Sequence, residues 1–301
     1  MYHKSILSTC VILLITAGVF AGRYQYQQVT TLQYGSASDQ IGLIIEDNMP
    51  PSGPESFWVD NAGCIYVCDS VNKQIKKLNP AGKIMAQKAV DFSANDIAVD
   101  DSGNIFLFDR SRRVIQQFSS DGKKNEINIS KELNDTAFGL KIVDDELVFE
   151  TGLQSQVQLT ENKALKSNGA VKNGIKGNNG KRFNVLRNME RKGEIDVTDE
   201  NGNIQDLLVL PVDNVASIVF LGQDKKGNSY FQVEISKQDI QGVSLNVYCL
   251  NIDGDIDSII SDIPNNYSVW TAKLLQLCKN GDIYQVLPTE ENVQVNVWKR
   301  K

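Results

Sequence analysis

The fold is decided by two stretches of sequence that lie forty residues apart: DNAGCIYVCD at residues 60–69 and DDSGNIFLFD at residues 100–109. Both match the pattern D-x-x-G-x-I-aromatic-aliphatic-x-D. Aspartate and asparagine suit the first positions of a tight turn, and glycine supplies the positive φ angle that such a turn requires. The β-branched and aromatic residues that follow favour a strand buried between sheets. Each stretch therefore predicts a hairpin turn followed by a buried strand.

Weaker copies of the pattern recur along the chain, at residues 144–149, 224–230 and 278–284. A second set of turn residues falls at positions 82, 122, 162 and 202, again in steps of forty, and then at 254. Two hairpins in each forty-residue unit give four strands, which is the content of one blade of a β-propeller. The repeat therefore predicts an all-β chain built as a propeller.

The number of units predicts six blades. Five units run through residue 262, and a sixth begins near Val269 but stops before its fourth strand. Tyr24–Tyr34 is a strand candidate that precedes the first unit. If it completes the last blade, two open sheet edges disappear. We therefore predict a six-bladed β-propeller over residues 23–301, closed by its N-terminal strand, with residues 162–182 as an elaborated connection between blades.

Residues 1–22 have the composition of a targeting segment. His3 and Lys4 give a weakly basic start, and residues 6–20 carry no charge. This run is slightly short for a relaxed transmembrane helix of about 20 residues, and Val19 and Ala21 suit a signal-peptide cleavage site. A cleaved signal peptide and a retained membrane-anchor helix both remain open. Either one predicts an extracytoplasmic propeller that contacts a membrane through this segment only.

The sequence around the first repeat resembles a known family. PESFWVD at residues 54–60, followed by GCIYVCDSVNKQI at residues 63–75, is similar to an NHL-type repeat, and residues 95–118 resemble it as well. The chain thus resembles an NHL-repeat-like six-bladed β-propeller of the TolB-like/NHL superfamily over residues 50–125, and later blades match only in period and turn pattern. The resemblance implies a propeller first, and ligand or partner binding on one face second, since this fold hosts many functions.

The composition excludes several functions. The net charge is −6, and an acidic balance disfavours non-specific nucleic-acid binding, which needs lysine and arginine to neutralise phosphates. The only histidine is His3, in the predicted targeting segment. The propeller body therefore lacks the residue for Ser-His-Asp or Cys-His catalysis and for histidine-ligated zinc. Some lyases that resemble this fold depend on histidines, and this chain departs from their pattern at each of those positions.

The cysteines and tryptophans of the body are expected to serve packing. Cys64 and Cys68 fall in one predicted strand, about 13 Å apart at about 3.3 Å per residue, which is beyond the reach of a disulfide. A link between Cys249 and Cys278 remains open, with buried free thiols as the alternative. Three tryptophans in predicted strands are expected to pack between blades rather than to form a sugar-stacking platform. They are Trp58, Trp270 and Trp298.

The loops between the second and third strands of the blades carry the residues that we predict to bind a ligand. These loops share one rim of a propeller. The candidates are Asp69, Asn72, Asp109, Arg110, Arg112 and Glu150. Arginines in such a cluster bind anionic ligands or the acidic patch of a partner. Our first hypothesis is a non-enzymatic binding module without a cofactor, which presents this rim to a protein or a cell-surface polymer.

An alternative hypothesis starts from Glu55, which opens the first strand of the first blade and should lie near the central axis. ESFW at residues 55–58 is similar to the opening of calcium-dependent lactonases of six-bladed fold. That resemblance implies a calcium ion held by glutamate, asparagine and aspartate oxygens. Only Glu55 matches by motif, since Asn95 and Lys273 take the equivalent places in blades two and six. The alternative is therefore a calcium-dependent hydrolase or lactonase with Glu55 as an axial ligand.

Overall fold

The computed structural model describes most of the chain after residue 22. The described residues are 23–131, 133, 137–151, 155–161, 164–165, 171–177, 180–185, 192–237 and 242–301. The predicted signal or anchor segment at residues 1–22 lies outside them, and so does position 162, where the repeat predicts a turn. Within the described ranges, no helix has both the length and the apolarity needed to cross a membrane.

The described residues form 26 β-strands, which are grouped into six sheets of four strands and one short hairpin. The first strand, β1, spans Tyr24–Gln33. The first blade contains β2 (Ser56–Val59), β3 (Ile65–Asp69), β4 (Gln74–Leu78) and β5 (Ile84–Ala89). The second blade contains β6 (Asp96–Val99), β7 (Ile105–Asp109), β8 (Val114–Phe118) and β9 (Lys124–Asn128).

The remaining four sheets follow in chain order. The third blade contains β10 (Ala137–Val143), β11 (Glu146–Thr151), β12 (Ser155–Gln158) and β15 (Val171–Asn173), and the short hairpin of β13 (Thr160–Glu161) and β14 (Ala164–Leu165) precedes its last strand. The fourth contains β16 (Ile175–Lys176), β17 (Arg182–Val185), β18 (Gly193–Thr198) and β19 (Ile204–Leu210). The fifth contains β20 (Val215–Gln223), β21 (Ser229–Ser236), β22 (Val243–Leu250) and β23 (Ile256–Ile263). The sixth contains β24 (Gln276–Leu277), β25 (Ile283–Pro288), β26 (Asn292–Arg300) and β1.

The repeated motif forms the turn between the first and second strands of a blade. Oδ1 of Asp60 accepts hydrogen bonds from the backbone N–H groups of Ala62 and Cys64, both at 2.9 Å, and Gly63 adopts a φ of 77°. Asp100 holds the equivalent turn of blade two in the same way. The predicted hairpins are confirmed, and these contacts explain why the motif needs both an aspartate and a glycine.

The strand predicted before the first repeat is present as β1, the outer strand of the sixth blade. It pairs antiparallel with β26, from Tyr24 opposite Arg300 to Gln33 opposite Asn292. The strand order of this sheet is β1-β26-β25-β24. A strand from the start of the described chain therefore shares a blade with three strands from its end.

Hydrophobic clusters lie between neighbouring blades. Phe57 and Val67 of blade one belong to one cluster with Val295 of blade six, while Cys68 of blade one clusters with Leu107 of blade two. Similar clusters join blades two and three, four and five, and five and six. Burial of these apolar faces against each other stabilises the arrangement of the sheets around a common axis.

The joint between blades three and four is more polar. Arg182 in β17 is buried, and its guanidinium donates to the backbone carbonyls of Asn173 and Gly174 at the end of blade three. The backbone N–H of Lys176 donates to Oε1 of Gln156 at 2.8 Å. Hydrogen bonds to a buried arginine therefore help to join these two sheets.

The four cysteines of the body are free thiols, so no disulfide joins Cys249 to Cys278. Cys68 and Cys249 are buried in apolar clusters, as expected for thiols that serve packing. Burial raises the pKa of the Cys278 thiol to about 12, which keeps it protonated at neutral pH.

A largely buried ion-pair network ties the end of β26 to blade five. Nη1 of Arg300 donates to Oδ2 of Asp224 at 2.6 Å, and Nη2 donates to Oδ2 of Asp257 at 2.8 Å. Arg23 contacts the other oxygen of Asp257. The side chain of Arg23 is 49% exposed, whereas that of Arg300 is 10% exposed. The two arginines therefore share one carboxylate but differ in solvation.

Arg300→Met should lower the free energy of unfolding by about 3 kcal/mol, because it removes the largely buried cation that bonds to both Asp224 and Asp257, although Arg23 still contacts Asp257. Arg23→Met removes the exposed partner of the same Asp257 and should lower it by at most about 1 kcal/mol. Urea denaturation of both variants measures the difference. Equal losses for the two variants would contradict this account of the network.

Candidate functional site

The starts of the inner strands and the ends of the second strands lie at one rim of the ring. In blade one, the first residue of β2, Ser56, pairs with Cys68 near the end of β3. Blade two has the same register. Glu55 and Asn95, which directly precede the two inner strands, therefore lie beside the loops that follow β3 and β7.

Four side chains from three blades meet at this rim: Glu55, Asn95, Arg110 and Trp270. Nδ2 of Asn95 donates to Oε2 of Glu55 at 2.8 Å, and Oδ1 of Asn95 accepts from the backbone N–H of Arg110 at 2.7 Å. The guanidinium carbon of Arg110 lies 5.1 Å from the ring centroid of Trp270, in cation–π geometry. The backbone N–H of Ala272 donates to the carbonyl oxygen of Glu55 at 2.7 Å. We call the four side chains the axial cluster.

Next to the axial cluster, the carboxylate of Asp96 joins four blades. It accepts hydrogen bonds from the hydroxyl of Ser56, from the backbone N–H groups of Ile97 (2.7 Å) and Leu140 (2.5 Å), and from the ammonium of Lys273 (3.1 Å). Asp96 is only 1% exposed. Its four donors offset the desolvation of the charge and hold the inner strands of blades one, two and three to the segment before β24.

A cavity of about 580 Å³ opens beside the axial cluster, lined by residues of blades three to six. Most of its wall is apolar, formed by Leu140, Ile175, Val185, Ile218, Phe220, Leu221, Val243, Val269, Leu274 and Leu275. Trp270, Thr271, Ala272 and Lys273 form the wall nearest the axial cluster. A mainly apolar cavity of this size with a few polar groups is typical of small-molecule sites.

The charged groups at the cavity wall are largely paired within the chain. Nζ of Lys141 lies 2.9 Å from Oε1 of Glu150 and also donates to the backbone carbonyl of Phe220 at 2.9 Å. The hydroxyl of Ser217 donates to Oε2 of Glu234 at 2.5 Å. Such pairs make it favourable to keep polar groups in an otherwise apolar wall.

Two of the predicted binding residues, Asp69 and Asn72, stabilise the loop after β3. The fully buried carboxylate of Asp69 accepts from the backbone N–H of Gly42 at 2.8 Å and from the side chains of Asn72 (2.9 Å) and Gln74 (3.1 Å). The ammonium of Lys76 lies 3.6 Å away. Both oxygens of Asp69 are therefore engaged by the chain itself.

Asp109 and Arg112 have a similar structural role in blade two. Asp109 is 1% exposed and accepts from the hydroxyl of Ser111 (2.7 Å) and the backbone N–H of Arg112 (3.0 Å). The side chain of Arg112 is 46% exposed and lies 3.4 Å from the carboxylate of Glu126 in β9. These contacts shape the loop after β7 and direct Arg112 toward an outer strand.

Of the six predicted binding residues, the structure brings Arg110 and Glu150 to the cavity region. Arg110 belongs to the axial cluster. Glu150 is expected in a loop, but it lies within β11 and lines the cavity. The predicted set therefore does not form one surface. Glu55, which the alternative hypothesis places near the axis, also belongs to the axial cluster.

Trp270 overturns one prediction from the sequence. Packing between blades is expected for it, but its side chain is 55% exposed. It lies in the irregular segment between β23 and β24, where strand alternation does not decide which side chains are buried. Trp58 and Trp298 do pack in apolar clusters. Its neighbours in the sequence, Val269 and Thr271, do not distinguish an exposed aromatic from a buried one.

Glu55 is the titratable group of the axial cluster that burial perturbs. Desolvation raises its pKa above the usual value, opposed in part by the hydrogen bond from Asn95 and the charge of Arg110. Within the described residues, no group of three or more histidine, cysteine, aspartate or glutamate side chains is arranged to hold a metal ion. The amide oxygen of Asn95 already accepts from Arg110, and Lys273 already neutralises Asp96. This donor set does not fit calcium, which takes about six to eight oxygen ligands.

No family model and no curated protein matches the sequence, whereas solved structures do. A catalytically inactive histidine-to-alanine variant of virginiamycin B lyase from Staphylococcus aureus, with quinupristin, matches with a TM-score of 0.52 at 11% identity, covering 92% of this chain and 100% of that one. A member of the DUF4221 family from Bacteroides vulgatus matches with a TM-score of 0.51 at 12% identity, covering 93% and 99%. The chain is a six-bladed β-propeller.

At these identities the likeness establishes the fold alone. A candidate gluconolactonase matches with a TM-score of 0.48 at 12% identity, covering 94% of each chain, and carries no argument for lactonase activity here. The lyase variant loses activity when a histidine is replaced, whereas the only histidine of this propeller chain is His3. The predicted propeller and its repeat are confirmed, and the function has to be argued from the axial cluster and the cavity.

Glu55→Gln should raise the free energy of unfolding at pH 7, because it removes a carboxylate that burial makes costly to ionise. The pKa of Glu55 is higher in the folded protein than in the unfolded chain, where it is 4.5. The contribution of this group to the free energy of unfolding is therefore complete below pH 4.5 and is lost as the pH rises through the folded-state pKa. The advantage of the variant should therefore be absent near pH 4 and grow toward pH 7.

Urea denaturation of wild type and Glu55→Gln across this pH range tests the sign. Glu290→Gln, at an exposed position, is the matched control and should show no such trend. A Glu55→Gln advantage that shrinks as the pH rises would contradict this account of Glu55.

Proposed function

We propose that this chain is an exported or membrane-anchored propeller that acts as a ligand-binding module. Its binding site is the cavity beside the axial cluster, which we call the axial cavity. The observation that carries the proposal is a mainly apolar cavity of about 580 Å³ whose wall includes the exposed Trp270, with Arg110 stacked on the ring of that tryptophan. Apolar volume and a few oriented polar groups are what a small organic ligand requires. Exposed aromatic surface at the same place favours a ligand that covers it.

The electrostatics of the cavity favour binding over catalysis. Lys141, Glu150 and Glu234 are engaged by partners within the chain. A general acid or base needs a group that can exchange a proton with the substrate. Histidine, the side chain most often used for this purpose, does not occur in residues 23–301.

The alternative, a hydrolase, is favoured by one observation, although the donor set around Glu55 does not fit the calcium ion that the lactonase resemblance implies. Burial raises the pKa of Glu55, which is the way in which enzymes prepare a carboxyl group for acid–base work. Under this alternative, calcium should raise the melting temperature of the wild type but not of Glu55→Gln, and the wild type should hydrolyse a lactone or ester. Under the binding-module proposal, neither the shift nor the hydrolysis occurs.

The NHL-type resemblance of residues 50–125 supports a propeller that meets its partner on one face. We propose that this face is the rim that carries the axial cluster and that the partner is a protein or a cell-surface polymer. A side group of either molecule could enter the cavity while its main chain runs along the rim. Membrane contact is proposed for residues 1–22 only.

The direction of β1 indicates from which face of the propeller an N-terminal anchor would leave. Tyr24 pairs with Arg300 at one end of β26, and Gln33 pairs with Asn292 at the other. The turn before Asn292 lies on the cavity side, because Ser268 donates to the carbonyls of Pro288 and Thr289. Nine steps at about 3.4 Å separate the two ends by about 30 Å. We infer that an N-terminal anchor leaves the face opposite the cavity, which then points away from the membrane.

We also propose that β1 closes the ring, because it pairs with the edge of β26 along its length, with one register shift between Gln28 and Thr30. A chain that lacks residues 1–33 should therefore aggregate or unfold at a lower temperature, since the edge of β26 becomes exposed. A chain that lacks only residues 1–22 is the control and should remain monodisperse. Size-exclusion chromatography and thermal melts compare them, and equal behaviour would overturn the closing role of β1.

The proposed site predicts that Ala272→Phe blocks binding, because the added ring fills the cavity wall at which Ala272 lies. The probe is 2-naphthamide, a neutral aromatic compound small enough for the cavity, and the measurement is isothermal titration calorimetry. Wild type should bind the probe saturably, and Ala272→Phe should bind it at least about tenfold more weakly. Absence of saturable binding to the wild type, or equal binding to both proteins, would overturn the proposed function.

A further inference from the structure

Arg110 differs from other arginines of the propeller in its surroundings. Arg112 lies beside Glu126, and Arg300 bonds to two aspartates. Among the described residues, no salt bridge within 4.0 Å joins a carboxylate to the Arg110 guanidinium, although its charge acts on the carboxyl group of Glu55, and its Nε is buried without a hydrogen-bond acceptor. Its observed contact is the ring of Trp270. A cation held in place by an aromatic ring, with unused donors, is arranged to receive an acceptor from outside the chain.

Thr271 supplies a second unused polar atom at the same place. It follows Trp270 and lines the cavity. Its Oγ1 is buried and has no hydrogen-bond partner within the described structure. Buried polar atoms are nearly always bonded in folded proteins, so two of them next to one exposed tryptophan, one on the arginine stacked on its ring and one on the residue that follows it, indicate a missing partner. That partner has to offer acceptor oxygens next to an apolar cavity.

We propose that the ligand is an amphiphilic monocarboxylate, whose apolar body fills the cavity while its carboxylate bonds to Arg110 and Thr271. This inference rests on the proposed function and names the ligand class of the same site. The planar guanidinium matches a carboxylate through two parallel hydrogen bonds, and stacking on Trp270 fixes its orientation. The apolar wall, which includes Phe220 and Leu275, takes the uncharged part.

The surrounding charges favour a single negative charge over two. The cations Lys141 and Lys273 are already neutralised by Glu150 and Asp96. Arg110, which stacks on Trp270 of this wall, is the cation beside the cavity without a carboxylate in salt-bridge contact, and the nearby carboxyl groups, Glu55 among them, would repel a dianion more strongly than a monoanion. A phosphate monoester, which carries nearly two charges at neutral pH, is therefore the poorer match.

The test compares 2-naphthoate with 2-naphthamide, two compounds of the same shape that differ in charge, by calorimetric titration of the full-length chain. Wild type should bind 2-naphthoate about tenfold or more tightly than the amide. Arg110→Gln should remove this preference, and a thermal melt of the same sample shows that the variant is folded. Arg112→Gln, two positions away, is the matched control and should keep the wild-type preference.

Several results would overturn the inference. Equal affinity of the wild type for the two compounds, with both sensitive to Ala272→Phe, would leave the cavity as a binding site and remove the carboxylate preference. An equal loss in Arg110→Gln and Arg112→Gln would mean that general charge, rather than a bond to Arg110, sets the preference. If neither compound binds in a manner that Ala272→Phe blocks, the proposed function fails together with the inference.

Discussion

The structure depends on one buried carboxylate, that of Asp96. A charge that is 1% exposed is stable only if donors replace the water it has lost, and here the donors come from four different blades. The hydrogen bond from Leu140 fixes blade three to blade two, and the ammonium of Lys273 fixes the segment before β24. That segment carries Trp270, so the same carboxylate that joins the inner strands also positions the wall of the cavity.

The sequence predicts the first two blades well because their turns are encoded locally. Asp60 and Asp100 each bond to the backbone N–H groups two and four residues later, so the motif can be recognised from ten residues alone. Blade three is harder to predict, because a separate hairpin, β13–β14, precedes its outer strand β15 and adds two strands to the four of a regular blade. The joint between blades three and four depends on Arg182, a polar contact that hydrophobic alternation does not reveal.

The site could be predicted only in part, for a related reason. Glu55 and Arg110 directly flank strands that the repeat defines, so their position at the rim follows from strand order. Whether a loop carboxylate faces a ligand or its own backbone depends on contacts distant in sequence, such as the one from Gly42 to Asp69. Trp270 lies in a segment without regular structure, and only the folded chain brings it to Arg110.

In our proposal, the cavity beside the axial cluster binds an amphiphilic carboxylate whose charge is held by Arg110. The most direct measurement is a crystal structure of the protein grown with 2-naphthoate. We expect the naphthalene ring within the cavity and a carboxylate oxygen within hydrogen-bonding distance of Arg110, with the guanidinium still stacked on Trp270. An empty cavity, a ligand bound at another face, or an Arg110 side chain paired with a carboxylate of the protein would contradict it.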